Sequence, residues 1–210
     1  MSEHGMEKEV ASDLKYMKSL AKEGQQAPLL GGRFTVLWGT LVAIALFTQW
    51  LVLTGQAPFG PEALIYVWSG IGVLGWLGSA VLGRSLRGKP GTGSIGNRAE
   101  SAVWSAGGFA IFIYVLAVIA AVYVGKAHYG IFNTIMMVAF SIYGICYFTT
   151  GGLAGNRNMY VIGALCFVAA IINGALINQP IVYLIDTGFV VLVTVIPGAL
   201  QMRAEPSPVV

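Results

Sequence analysis

One acidic residue stands well inside an apolar run of this chain: Asp186, within Ile181–Met202. Asn173 lies in the preceding run, and the tight Asn178–Pro180 turn between the two makes them antiparallel neighbours, so the two side chains reach similar depth. Gln49, Asn133 and Tyr66 fall in the same third of their own runs, with Thr48 and Thr187 beside them. An ionisable group inside a membrane is costly and normally faces the bundle interior or a water-filled cavity. Asp186, Asn173, Gln49, Asn133 and Tyr66 are therefore the candidate ligand-binding residues. They would form a polar vestibule that binds a small solute or relays a proton. The alternative is interhelical glue, Asp186 bonded to Asn173, at about 0.6 kcal/mol for such a bond.

Other chemistries find little support. His4 and His128 are the two histidines, one in a tail and one in a loop, so no apolar run offers a His axial ligand for haem. Met136 and Met137 read as core filler. Cys146 and Cys166 are two thiols without further ligands, which do not make a zinc site, and they read as small buried hydrophobes. No carboxylate pair or Ser with a His base suggests hydrolysis. Gly91-x-Gly93-x-x-Gly96 has a dinucleotide-fingerprint spacing but lacks the strand and soluble helix that give it meaning. The expectation is a protein with no catalytic residues, no metal and no cofactor, and no nucleic-acid partner.

The elements that position these residues follow from composition. Of 210 residues, 56% are hydrophobic and only 10% charged, and the mean hydropathy is +0.74. A soluble domain carries about a quarter charged residues. A spanning helix needs roughly 20 mostly apolar residues. Six such runs occur: Phe34–Thr54, Ala63–Leu82, Ala102–Val124, Ile131–Thr150, Tyr160–Ile177 and Ile181–Met202. The fold class is all-α integral membrane: six transmembrane helices plus a short N-terminal amphipathic helix. That last helix rests on Val10, Leu14, Met17 and Ala21, which recur at helical spacing after the cap candidates Ser12 and Asp13. The organisation is a tail over 1–33, a membrane domain over 34–202 and a second tail over 203–210. No apolar region precedes Phe34, so the first span is expected to serve as the insertion signal rather than a cleaved peptide.

The long polar break Gly83–Glu100 carries Arg84, Arg87, Lys89 and Arg98. Lys and Arg resist translocation, which keeps such a loop cytoplasmic. Both termini and the Arg157 loop then share its side, together with eleven of the twelve Lys and Arg residues; Lys126 alone lies opposite. The expected location is a bacterial-type plasma (inner) membrane, with both ends cytoplasmic. The four basic residues would also attract anionic lipid headgroups, at about 1 kcal/mol each. Arg33, Arg98 and Arg157 each precede an outward-running helix. This reads either as three repeated helical hairpins or as the basic residue that topology requires at each such start.

The architecture resembles small six-helix channel families, the acetate–succinate transporters and the bacterial urea channels, in helix count and length. The opening Asn-Pro-Ala-Pro-Leu-Gly of the acetate family is not present; Gln26-Ala27-Pro28-Leu29-Leu30-Gly31 is a partial echo in a polar tail. Two functions remain open. The first is a non-catalytic accessory or regulatory membrane component that meets lipid and a cytosolic or membrane partner through its N-terminal helix. The second is a channel or transporter for a small solute, built on the polar cluster around Asp186. Self-association into a homo-oligomer fits either.

Overall fold

The computed structural model describes residues 13–16, 29–86, 89 and 91–205. Residues 13–16 are helical and exposed; the rest of the expected amphipathic helix, Val10, Met17 and Ala21 included, lies outside the described residues. The main body is α1 (Gly32–Leu53), α2 (Leu64–Leu86), α3 (Ile95–Tyr123), α4 (Thr134–Ala154), α5 (Arg157–Ala175), α6 (Ile181–Val190) and α7 (Ile196–Arg203). Short 3-10 turns, Pro61–Ala63 and Tyr129–Asn133, lead into α2 and α4. A π-helical turn, Val191–Val195, joins α6 to α7 into one span. No strand occurs among the described residues. Six helices are long and apolar enough to cross a membrane, and the protein is a polytopic membrane protein.

Local sequence explains the helix ends. Ser94 caps α3, its Oγ accepting from the Asn97 N–H at 3.2 Å. Asn156 caps α5 through Asn158 N–H at 3.1 Å, and Gly155 closes α4 in the left-handed conformation at φ +66°. The Ser94 cap starts α3 seven residues before the apolar run at Ala102. The helix carries its first two turns through polar sequence, where hydropathy gives no signal. Arg98 is thus helical, and Arg84 belongs to α2.

Packing is uneven. Only 11% of the most apolar stretch of the second span is buried, against 39% of the last. The last span is central, lying mainly against α1, while α2 packs on α1 and α3 on α4. The closest pair is α4 with α5. There Phe167 covers Gly144 and Phe148 covers Gly163, so each aromatic ring fills the space a side chain on the facing helix would need. The core joins Leu46, Phe140, Tyr147, Cys166, Ala169, Val190 and Val193, all 2% exposed or less.

Pro197 shapes the last span. In an α-helix its N–H would bond the carbonyl of Val193, and proline has none. The helix relaxes into the π turn just before it. The Tyr147 hydroxyl donates to the Val193 carbonyl from α4.

Candidate functional site

Asp186 is fully buried and Asn173 is 2% exposed. Asn173 Nδ2 donates to Asp186 Oδ1 at 2.6 Å and to the Ala169 carbonyl at 3.0 Å. The second carboxylate oxygen, Asp186 Oδ2, is buried without a hydrogen-bond partner among the described residues. The turn between α5 and α6 brings the two side chains together, as the antiparallel geometry requires.

One turn nearer the helix end, the Tyr183 hydroxyl donates to Asn133 Oδ1 at 2.6 Å. Gln49 of α1 lies against the same hydroxyl and accepts from Trp68 Nε1 of α2 at 2.8 Å. Thr187 returns its hydroxyl to the Tyr183 carbonyl at 2.8 Å. Trp68, Gln49, Tyr183 and Asn133 thus make one polar string across the bundle, with Asp186 and Asn173 below it. Of the expected cluster, Tyr66 stands apart: it is 79% exposed on the outer face of α2. Its place in the chain gave it the right depth, but the helix turns it outward; Trp68, two residues on, is the α2 side chain that reaches Gln49. Tyr183 and Trp68 had no place in the sequence-based cluster, because an aromatic in an apolar run reads as core or interface.

No known family, characterised protein or solved structure matches the chain. Its chemistry therefore rests on its own geometry.

Below Asp186 the interior turns apolar. Trp104 packs edge-on against Tyr147 at 4.9 Å between ring centres, and Phe140 meets Phe189 at 6.2 Å. Cys146 and Cys166 are free and buried; Cys146 Sγ lies 3.7 Å from the Val103 carbonyl. An open groove runs between α1 and the last span, lined by Thr40, Ile44, Phe47, Thr187, Val191 and Val195. Neither Asp186 nor Asn173 lines it. Among the described residues no trio of His, Cys, Asp or Glu is placed to hold a metal ion.

A second polar centre occupies the basic end of the bundle. Asn97 and Glu100, one helical turn apart on α3, are 7% and 4% exposed. Glu100 Oε2 accepts from Gly31 N–H at 2.9 Å, and Asn97 Oδ1 accepts from Leu30 N–H at 2.7 Å. These are amides at the start of α1 that the helix itself leaves without acceptors, and a carboxylate there also meets the favourable end of the helix dipole. A side chain at Gly31 would collide with the Glu100 carboxylate. Asn97 Nδ2 also donates to the Gly91 carbonyl at 3.0 Å, which ties the interhelical loop to the same point. The Ser94-x-x-Asn97-x-x-Glu100 spacing carries the signal for this centre. It is hidden among four basic residues that read as a solvated loop.

The basic residues divide. Lys89 Nζ lies 2.6 Å from Glu205 Oε2, and Arg33 grips the same carboxylate through Nε and Nη2 at 3.2 and 2.8 Å. Arg84 and Arg98 stand near the facing ends of α2 and α3. Arg87 lies outside the described residues.

Proposed function

We propose that this polytopic protein is a non-catalytic accessory or regulatory component of a bacterial-type plasma membrane, with its basic end and both termini on the cytoplasmic side. The observation that carries this reading is the closed half of the bundle. Tyr147 on Val193, Trp104 on Tyr147 and the buried Cys146 and Cys166 fill the space between Asp186 and the basic end. A packed interior of this kind supports a scaffold rather than a conduit. The topology follows from the basic residues at one end and Lys126 at the other. Arg84, Arg87 and Arg98 would meet anionic headgroups at about 1 kcal/mol each. Lys89, engaged by Glu205, would contribute less.

The experiment combines native mass spectrometry of the protein solubilised from its own membrane with solute flux in reconstituted vesicles. A second protein at fixed stoichiometry, with no flux, is expected. A chain found alone or only with copies of itself, passing small solutes in a way that Asp186→Asn abolishes, overturns the reading. That result would establish the second reading, a small-solute channel or transporter using Asp186, Asn173, Gln49 and Asn133. The unpartnered Asp186 Oδ2 is the observation in its favour.

A further inference from the structure

Three buried side-chain atoms lack a hydrogen-bond partner among the described residues: Thr150 Oγ1, Asp186 Oδ2 and Gln201 Oε1. Asp186 is the one that can carry charge. Among the described residues nothing near it compensates that charge. The charged residues on α1, α5 and the last span, Asp186 aside, are Arg33, Arg157 and Arg203, all at the basic end. Arg33 is 16 residues from Gln49, about 24 Å along the helix axis. α4 carries no charged residue at all. The groups near Asp186 are Asn173 from α5 and, from its own helix, Tyr183; Gln49 of α1 and Asn133 lie beyond Tyr183. Among the described residues Tyr183 is the one titratable neighbour.

We propose that Asp186 is a proton-binding site, which carries a proton at neutral pH and exchanges it toward the end of the bundle that holds Asn133. A metal cation would need about six oxygen ligands. Here the Thr187 hydroxyl is bonded to the Tyr183 carbonyl and Asn173 presents an N–H donor, not an oxygen, to the carboxylate, so one unpartnered oxygen cannot form such a shell. A single proton neutralises the group. Asn173 then bonds the carbonyl oxygen, Oδ1, and the proton sits on Oδ2. A lone buried donor costs about 1–3 kcal/mol, whereas an uncompensated buried charge costs more. The direction of exchange follows from the neighbours. Toward the basic end lie Val190, Val193, Leu46, Phe140 and Ala169, none more than 1% exposed. Toward the other end the next turn holds Tyr183, bonded to Asn133. The site is independent of the accessory reading, since a bound proton requires neither partner nor flux.

The chain makes a direct test feasible, because Asp13 and Asp186 are its only aspartates and Asp13 is exposed. Aspartate carrying 13C at its side-chain carboxyl, incorporated into the whole protein, labels these two groups alone, and infrared difference spectra read their protonation without any mutation. At neutral pH a protonated labelled carboxyl should be present, and Asp186→Asn should remove its band. The absence of any protonated labelled band at neutral pH would overturn the proposal, as would a protonated band that survives Asp186→Asn. Transfer to heavy water should shift the band. Tyr183→Phe should slow that exchange at least tenfold, and Tyr147→Phe should leave it unchanged. A band that never exchanges, or one slowed by Tyr147→Phe and not by Tyr183→Phe, would overturn the direction of exchange.

Discussion

At Asp186 a single hydrogen bond from Asn173 joins the side chain to its surroundings. Asp186→Asn keeps an acceptor for Asn173 Nδ2 and removes a group that is costly in lipid. It should leave thermal stability in detergent unchanged or slightly raised. Asp186→Leu takes the acceptor away and should cost about 1 kcal/mol, with part of the loss recovered in the double variant with Asn173→Leu. Two strictly additive losses would mean that the bond contributes nothing. The Tyr147 hydroxyl offers a sharper residue-scale case, because its acceptor is a carbonyl that Pro197 leaves without its helical donor. Tyr147→Phe should destabilise by about 1–2 kcal/mol. In a Pro197→Ala background, where the helix supplies its own donor, the same change should cost less. An equal loss in both backgrounds, measured by thermal unfolding, would detach Tyr147 from the proline.

Among the elements, α2 shows how far small residues specify a contact. Gly72, Gly75, Ser79 and Gly83 lie along one side of it in sequence, a helix-packing pattern. The structure uses half of that stripe. The Trp38 ring of α1 covers Gly75, and Trp38 Nε1 donates to Ser79 Oγ at 2.9 Å. Gly72 and Gly83 have nothing within 4 Å of where a side chain would begin. Gly75→Leu should therefore push α1 and α2 apart and cost about 1–3 kcal/mol, while Gly72→Leu should be neutral. Matching melting temperatures for the two variants would contradict the placement of this face. The contrast marks the limit of what was legible. Spans can be read because the bilayer demands length and apolarity, and these are properties of a run. Facing cannot, because nearly every residue in a span is apolar and no polar side marks which face is buried. On α3, of the small residues Ala106, Ala110, Ala117 and Ala121 that share a face in sequence, the first three are exposed and Ala121 is half-buried, while Gly107 meets Cys146. Asp186 with Asn173 was legible because polar atoms in lipid must find each other. Glu100 with Gly31 was not, because the Ser94-x-x-Asn97-x-x-Glu100 spacing marks polar positions on α3 but does not say that residues 29–31 will meet them.

Across the whole molecule, three distant segments converge at the basic end. Arg33 begins α1, Lys89 lies between α2 and α3, and Glu205 follows α7; the Glu205 carboxylate binds both cations. Its side chain is 7% exposed, while those of Arg33 and Lys89 are 28% and 30% exposed, so solvent screens the pairs only in part. Burial alone would push the Glu205 carboxyl up; hydrogen bonds from Arg33 and Lys89, and their charges, outweigh that and hold it below the usual glutamate range. A carboxyl depressed in the folded state contributes stability above its unfolded pKa, near 4.3, and loses it as pH falls through the lower folded value. Glu205→Gln should therefore cost about 1–2 kcal/mol at neutral pH. The gap from the parent should hold down to about pH 5 and close below about pH 4. High salt should shrink it, since the cations remain partly exposed. Unfolding in detergent across this range is the measurement. A gap that stays constant into acid would mean Glu205 acts through packing alone, and one that widens there would reverse the sign of its coupling to folding. The stapled ends also predict where the change is felt. Losing Glu205 should loosen the start of α1 and the loop at Lys89 together, so amide exchange in both segments should rise in Glu205→Gln while the Asp186 level stays protected.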